Sequence, residues 1–267
     1  MSDDRILSAL LAARSSRIPC ATATIAATTG SVPRSVGAKM LVYLNGQTIG
    51  TIGGGKLESL AVSAAQKVIE IGKPILKNYP LHEGAADSFG AICGGEVTVF
   101  IEPIVRKEAI FLVGAGHCAR AIAKLAAECD FHVSVVDDRE DELALCDSAH
   151  EKIHLSPSEY ILNREWKSDE ALVLVSRNFQ GDEAALFAVL SRPLPGYLGM
   201  IGSRRKVLHV FDELRKKGVE PALLDQVYAP IGLDIGADSP MEIAVSVIAE
   251  ILLVLRERSG KKQRING

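Results

Sequence analysis

Ala109-Ile-Phe-Leu-Val113-Gly114-Ala-Gly116-His117-Cys-Ala119 decides the fold of this chain. A continuous apolar run meets a Gly-x-Gly-x-x-Ala turn. A helical pattern follows (Ala119, Ile122, Ala123, Ala126), and then a second apolar run, Phe131 to Val136, ending in Asp137-Asp138-Arg139. Strand, glycine turn, helix, strand and acid in that order form a βαβ unit of the dinucleotide-binding type. Gly114 permits the tight turn, Gly116 lets backbone approach a phosphate, and Ala119 allows the helix to lie close to the strand. The phosphate would rest on the unpaired N–H groups of the helix start. Asp137 falls 21 residues after Gly116, where an acid can hold a ribose diol. An acid there favours NAD over NADP, with Arg139 pulling the other way. His117, inside the turn, would face the ligand with a proton to exchange near neutral pH.

Outward from this unit the same grammar continues. Two further apolar runs, Ala171 to Val175 and Tyr197 to Ile201, each lead into a helix-like segment. Apolar strands alternating with helices imply a parallel sheet covered on both faces. Gly202-Ser203-Arg204-Arg205-Lys206 follows the last of these strands. Ser203 can cap a helix whose apolar face is Val207, Val210, Phe211 and Leu214. Three cations at a positive helix end oppose the macrodipole, so this reads either as an anion site or as a solvated positive face partly balanced by Asp212 and Glu213. Ser239-Pro240-Met241-Glu242 is a capping box that starts a core helix through Leu255. The loop before it, Pro230 to Gly236, is glycine-rich and is expected to line the crevice.

Before residue 107 the grammar differs. Ser2 can cap an amphipathic helix with Ile6, Leu7, Leu10 and Leu11 on one face. Cys20 to Thr28 suits a strand, and Lys39 to Ile52 a hairpin turning at Asn45-Gly46. Gly53-Gly54-Gly55 ends the hairpin, and a helix with Leu57, Leu60, Ala61, Ala64 and Val68 inward runs to Gly72. Strands over Ile75–Leu81 and Glu96–Ile104 flank a glycine- and acid-rich loop, His82 to Gly95, where Cys93 is placed for reactivity. The fold class expected is therefore α/β: an N-terminal α+β domain over 1–106, a Rossmann-like parallel-sheet domain over 107–258, and a polar tail over 259–267.

Composition narrows the function. The net charge of −3 and the 5% of aromatic residues exclude a general nucleic-acid binder and a single-strand stacking platform. Five cysteines with no CxxC pair argue against a disulfide framework or zinc ribbon and fit a reducing cytoplasm. The acidic start is unlike a signal peptide, and Met241–Leu255 carries Glu242, Ser246 and Glu250, which is wrong for a membrane span. No HExxH, Walker A or GxSxG motif occurs, and no dehydrogenase proton relay stands out.

Six segments in order resemble the XdhC/CoxI family: Gly30-Ser-Val-Pro33-Arg34, Thr51-Ile-Gly53-Gly54-Gly55-Lys-Leu-Glu58, Cys93-Gly94-Gly95, Gly114-Ala-Gly116-His117, Leu198-Gly-Met-Ile-Gly202-Ser203, and Pro230 to Gly236. The resemblance spans about residues 30–250. It implies a maturation chaperone that binds molybdenum cofactor, a molybdopterin carrying its metal, and protects it. It further implies work with a cysteine desulfurase-type sulfurtransferase that supplies the sulfido ligand, delivery to a client molybdenum hydroxylase such as xanthine dehydrogenase, and a homo-oligomer. Carried over by position, Arg34, Gly53 to Gly55, Glu58, Cys93, Gly94 and Gly95 would contact the cofactor, Cys93 as a soft partner for its metal. Gly114, Gly116 and His117 would form the phosphate-side turn, and Gly202, Ser203 and Arg204 the second anion site. The sequence departs from the family pattern at Ile92, where many members have a first cysteine, and over Val175 to Asp182, which lacks the family's histidine and keeps only Asp182. The competing expectation is an NAD(P)-dependent oxidoreductase acting on a small substrate.

Overall fold

A computed structural model describes residues 2–81, 95–104, 107–176 and 179–260. The chain divides into two units, Met1–Lys107 and Glu108–Gly267.

The first unit opens with α1 (Ser2–Ser15), then β1 (Cys20–Thr29), β2 (Lys39–Tyr43), β3 (Thr48–Gly50), α2 (Gly55–Ile71), β4 (Ile75–Pro80) and β5 (Glu96–Ile104). Its sheet is antiparallel throughout, in the order β3-β2-β1-β5-β4. The β2–β3 turn closes as the Asn45-Gly46 signal requires: Gly46 N–H donates to the Tyr43 carbonyl at 2.9 Å, and the Asn45 side chain accepts from Gln47 N–H at 3.0 Å. α2 lays Leu57, Ala61, Ala64, Ala65 and Val68 on the sheet and stops at Gly72, whose left-handed backbone caps it.

α1 corrects the expected phase. Its buried positions are Ile6 and Ala13, with Ala9 and Leu10 partly covered, whereas Leu7 and Leu11 face outward. The two alanines complete an i, i+3, i+4, i+7 stripe that the larger leucines obscure in the sequence.

The second unit runs β6 (Ala109–Val113), α3 (His117–Glu128), β7 (His132–Asp137), α4 (Glu140–Ala144), β8 (Glu151–His154), α5 (Pro157–Leu162), β9 (Glu170–Leu174), α6 (Phe179–Leu190), β10 (Tyr197–Met200), α7 (Arg204–Lys216), α8 (Pro221–Leu224) and α9 (Pro240–Leu255). The sheet is parallel in the order β10-β9-β6-β7-β8. The fold is thus mixed α/β, with an antiparallel N-terminal sheet and a Rossmann-type parallel sheet. β6 and β9 are buried at every residue because both faces are covered. Ile110 and Leu112 pack beneath α3 and α9, and Phe111 and Val113 beneath α6 and α7. β8 is an addition to the elements expected from the sequence. It is an edge strand of Glu-Lys-Ile-His, half-exposed, with no apolar period to betray it. Among the described residues no helix is long and apolar enough to cross a membrane.

Candidate functional site

The strand order places a switch point at β6, which is paired with β7 on one side and β9 on the other. In such sheets ligands bind beyond the carboxyl ends of the strands at that point. A cavity of about 390 Å³ lies there, lined by Gly114, Gly116, His117, Asp137, Arg139 and Ser176 among others. Four expected site residues are thereby brought together, Gly114, Gly116, His117 and Asp137, with Arg139 beside them.

Gly114 has no alternative. Its φ is +111°, and an added Cβ would stand 3.0 Å from the Val175 carbonyl oxygen and 3.2 Å from Ser176 N. Gly116 caps α3 with no side-chain hydrogen bond, no acid sits in that first turn, and a Cβ on Gly116 would meet nothing within 4 Å. Gly116 therefore leaves open space beside the helix start, whose positive dipole end suits an oxyanion.

Asp137 stands at the end of β7, but its carboxylate is already committed. Oδ2 accepts from Ala115 N–H at 2.7 Å and Arg139 Nη2 at 2.8 Å, and Oδ1 accepts from Arg139 N–H and Nε at 2.9 Å each. Burial alone would raise this carboxyl, but these bonds outweigh it and hold the group below its usual range. Arg139 also approaches Glu142 at 3.6 Å, and Glu142 is bound at 2.9 Å by Arg120. A ribose diol would have to displace Arg139 to reach Asp137.

Behind the crevice the structure withdraws one of the three cations, Lys206, from the expected anion site. Lys206 does not face solvent. Its Nζ turns inward to form an ion pair with Asp182, which is fully buried, and donates to the Ser176 and Ile201 carbonyls at 3.1 and 3.3 Å. The Ser176 hydroxyl donates to the other Asp182 oxygen at 2.6 Å. Burial pushes the Asp182 carboxyl up, with Lys206 and Ser176 pulling against it. Gly202 is bare because the Lys206 stem passes there: a Cβ would sit 2.8 Å from Lys206 Cδ. Ser203 caps α7 through Lys206 N–H at 3.3 Å. Asp212 and Glu213 pair with Arg215 and Lys216 rather than with the cations at the helix start. Lys206 and Asp182 together pin the ends of β9 and β10 beside the cavity, a function their spacing in the sequence does not advertise.

The Pro230–Gly236 loop does not line this cavity. Gly232 N–H donates to Glu250 at 2.9 Å and the Leu233 carbonyl accepts from the Ser246 hydroxyl at 2.5 Å, so the polar residues of α9 hold the loop. Tyr228 ahead of the loop and Ile231 within it donate their N–H groups to β10 carbonyls.

In the first unit a second set of motif residues converges. Glu58 Oε1 accepts from three successive N–H groups, Ile52 at 3.0 Å, Gly53 at 3.2 Å and Gly54 at 2.8 Å, and from the Thr51 hydroxyl. Burial raises this carboxyl, but the hydroxyl and backbone donors dominate and lower it. The glycine loop is thus an anion nest filled by the protein's own carboxylate. A Cβ on Gly53 would lie 2.6 Å from Pro33 Cγ, and one on Gly95 would collide with the Thr29 and Ser31 carbonyls. The Gly30–Arg34 segment, the Gly53–Gly55 loop and Gly95 therefore share one end of the sheet, with Arg34 exposed. Cys93 and Gly94, most of the His82–Gly95 loop, Arg177, Asn178 and the tail from 261 lie outside the described residues. Of the other cysteines, Cys20 and Cys146 are buried and Cys118 and Cys129 half-buried, all as free thiols. Among the described residues no cluster of histidine, cysteine, aspartate or glutamate is arranged to hold a metal.

Comparison with known proteins is decisive for the family. The profile of the XdhC Rossmann domain matches residues 110–251, and that of the XdhC and CoxI family matches residues 13–80. The chain belongs to the XdhC/CoxI family. An uncharacterised protein, YqeB, of Escherichia coli K12 is 37% identical over 251 residues, covering 91% of this chain and 44% of its own length. A probable xanthine dehydrogenase subunit of Bacillus subtilis 168 is 33% identical over 159 residues, covering 58% of this chain and 45% of its own. This XdhC/CoxI chain spans less than half the length of these curated relatives. The crystal structure of a xanthine dehydrogenase from Bacillus halodurans superposes with a TM-score of 0.52 at 22% identity over 98% of both chains, a likeness of fold.

Proposed function

We propose that this chain is a maturation factor for a molybdenum hydroxylase of the xanthine dehydrogenase type. In this reading it holds molybdenum cofactor, shields it while a cysteine desulfurase-type sulfurtransferase supplies the sulfido ligand, and passes it to the apo-enzyme. Family membership supports the setting. The single observation that carries the binding role is the uncapped start of α3 beneath a bare Gly116.

The residues present fit the cofactor's phosphate. Of two glycine-rich cradles, the Gly53–Gly55 nest is filled by Glu58, while the α3 start is open, so the phosphate belongs at α3. There Gly114 and Gly116 shape the backbone cradle and His117 opens the helix beside it. By the family pattern, Cys93 is the thiolate proposed as the soft partner of the metal. Bound there, the cofactor supplies a dithiolene-held molybdenum centre for the client's chemistry. This chain's residues hold, orient and shield.

The oxidoreductase reading keeps the glycine fingerprint and the strand order in its favour. Against it stands Asp137, whose four acceptor positions are filled.

The test is activation of a purified apo-hydroxylase by limiting molybdenum cofactor, with and without this chain. A maturation factor raises the yield of active enzyme and slows loss of cofactor activity in air. Equal yields with and without the chain would remove the proposal.

A further inference from the structure

α7 shows two faces. Val207, Val210 and Leu214 are buried, while Arg205, Leu208, His209 and Asp212 recur at i, i+3, i+4 and i+7 on the outside. The first residue of α6 joins them, with the Phe179 and His209 rings 4.9 Å apart. These residues line an open groove of about 790 Å³, which shares no lining residue with the crevice. Two apolar side chains are left uncovered on it, Leu208 at 60% exposure and Phe179 at 36%.

The charges of this helix are unevenly matched. Lys206 pairs with Asp182, Asp212 with Arg215, Glu213 with Lys216, and Lys217 with Glu183. Arg204 and Arg205 are exposed and have no ion-pair partner among the described residues. They also stand at the positive end of the helix dipole, where cations cost stability. Two unmatched guanidinium groups beside two uncovered apolar side chains complement a protein segment that carries carboxylates next to an apolar residue. Carboxylates meet arginine as bidentate pairs, and the apolar residue covers Leu208 and Phe179. A free oxyanion is the poorer match. It would leave the apolar pair wet, and Ser203 already takes one of the first N–H groups of α7.

We propose that the outer face of α7, from Arg204 and Arg205 to Leu208 with Phe179, is the docking surface for an acidic segment of the partner protein. With the hydroxylase as that partner, the inference rests on the maturation reading above.

The experiment measures association of the full chain with a purified apo-hydroxylase at low and high salt. Three variants are compared: Arg204→Glu with Arg205→Glu, Leu208→Glu, and Lys124→Glu on α3 as a remote control. The expected result is at least tenfold weaker binding for the double charge reversal, mostly as slower association with a flatter salt dependence. Leu208→Glu also weakens binding, the control matches the unaltered chain, and all melting temperatures stay at or above that of the unaltered chain. Tight binding that none of the variants changes by more than twofold overturns the surface and leaves the maturation reading standing. No binding by the unaltered chain overturns both. A rise in melting temperature with 10 mM inorganic phosphate that disappears in the double charge reversal, with hydroxylase binding unchanged, marks a small-anion site and overturns the docking surface.

Discussion

Lys206→Met is the sharpest probe of how the second unit is held together. It removes the cation from Asp182, which is 0% exposed, and two bonds to the carbonyls that end β9 and β10. Breaking one side of a buried pair costs about 3–5 kcal/mol, because the remaining charge has no compensation. The Lys206 side chain is 19% exposed, so water can soften the loss and the lower figure, about 3 kcal/mol, applies. At about 2–4 °C per kcal/mol for a domain of this size, the melting temperature falls by about 6–12 °C. Since burial pushes the Asp182 carboxyl up even with Lys206 present, the charge itself is the burden. Lys206→Met combined with Asp182→Asn should therefore recover at least half of the loss. Urea unfolding followed by fluorescence isolates the unit concerned: Trp166 is the only tryptophan, and it is buried in the same core as Val207 and Val210. A Lys206→Met variant within 0.5 kcal/mol of the unaltered chain, or a double variant no better than the single, would refute the pinning role.

Further outcomes follow from the same geometry. Glu58→Ala uncovers three loop N–H groups and should cost about 1–2 kcal/mol at pH 7, as loss of a helix cap does. Because the Glu58 carboxyl is lowered on folding, its contribution is complete above the ordinary glutamate range, about 4.3, and disappears as pH falls through the lowered value; equal destabilisation at pH 7 and pH 3 would contradict this. Gly114→Ala should cost about 1–3 kcal/mol of backbone strain, besides the clash with Val175, and a melting temperature within 1 °C of the unaltered chain would show that the turn tolerates a side chain. Arg139→Ala frees the Asp137 oxygens, so any affinity for NAD(H) should rise in calorimetric titration, whereas a fall would mean that Arg139 itself touches the nucleotide.

The sequence discloses those features that depend on period and turn chemistry. β6, the Gly114–Ala119 turn, α3 and β7 are legible because a doubly covered strand must be apolar at every position and its turn must be glycine. The capping box at Ser239 and Glu242 is legible for a similar reason, since both partners sit within one turn. Edge and reach are harder. β8 has one neighbouring strand and a polar composition, so no run marks it. Lys206 sits among cations in the chain, and only the direction of its long stem, through the gap left by Gly202, sends its charge inward to Asp182. Glu58 carries a readable signal, an acid in the first turn after three glycines, but nothing in the spacing says that it fills the nest rather than awaiting a ligand. Ser246 and Glu250 break the apolar pattern of α9, and that polar break is what holds the Gly232 loop.

The central claim is that the open start of α3 receives the phosphate end of molybdenum cofactor. Equilibrium titration of the full chain and of Gly116→Val with molybdenum cofactor, and separately with NAD(H), tests it most directly. A Cβ at Gly116 meets no protein atom within 4 Å, and a melting curve of the variant checks that it is folded. Saturable cofactor binding by the unaltered chain and at least a tenfold loss in Gly116→Val are expected. Tight NAD(H) binding with no cofactor binding, or cofactor binding that Gly116→Val leaves untouched, would contradict it.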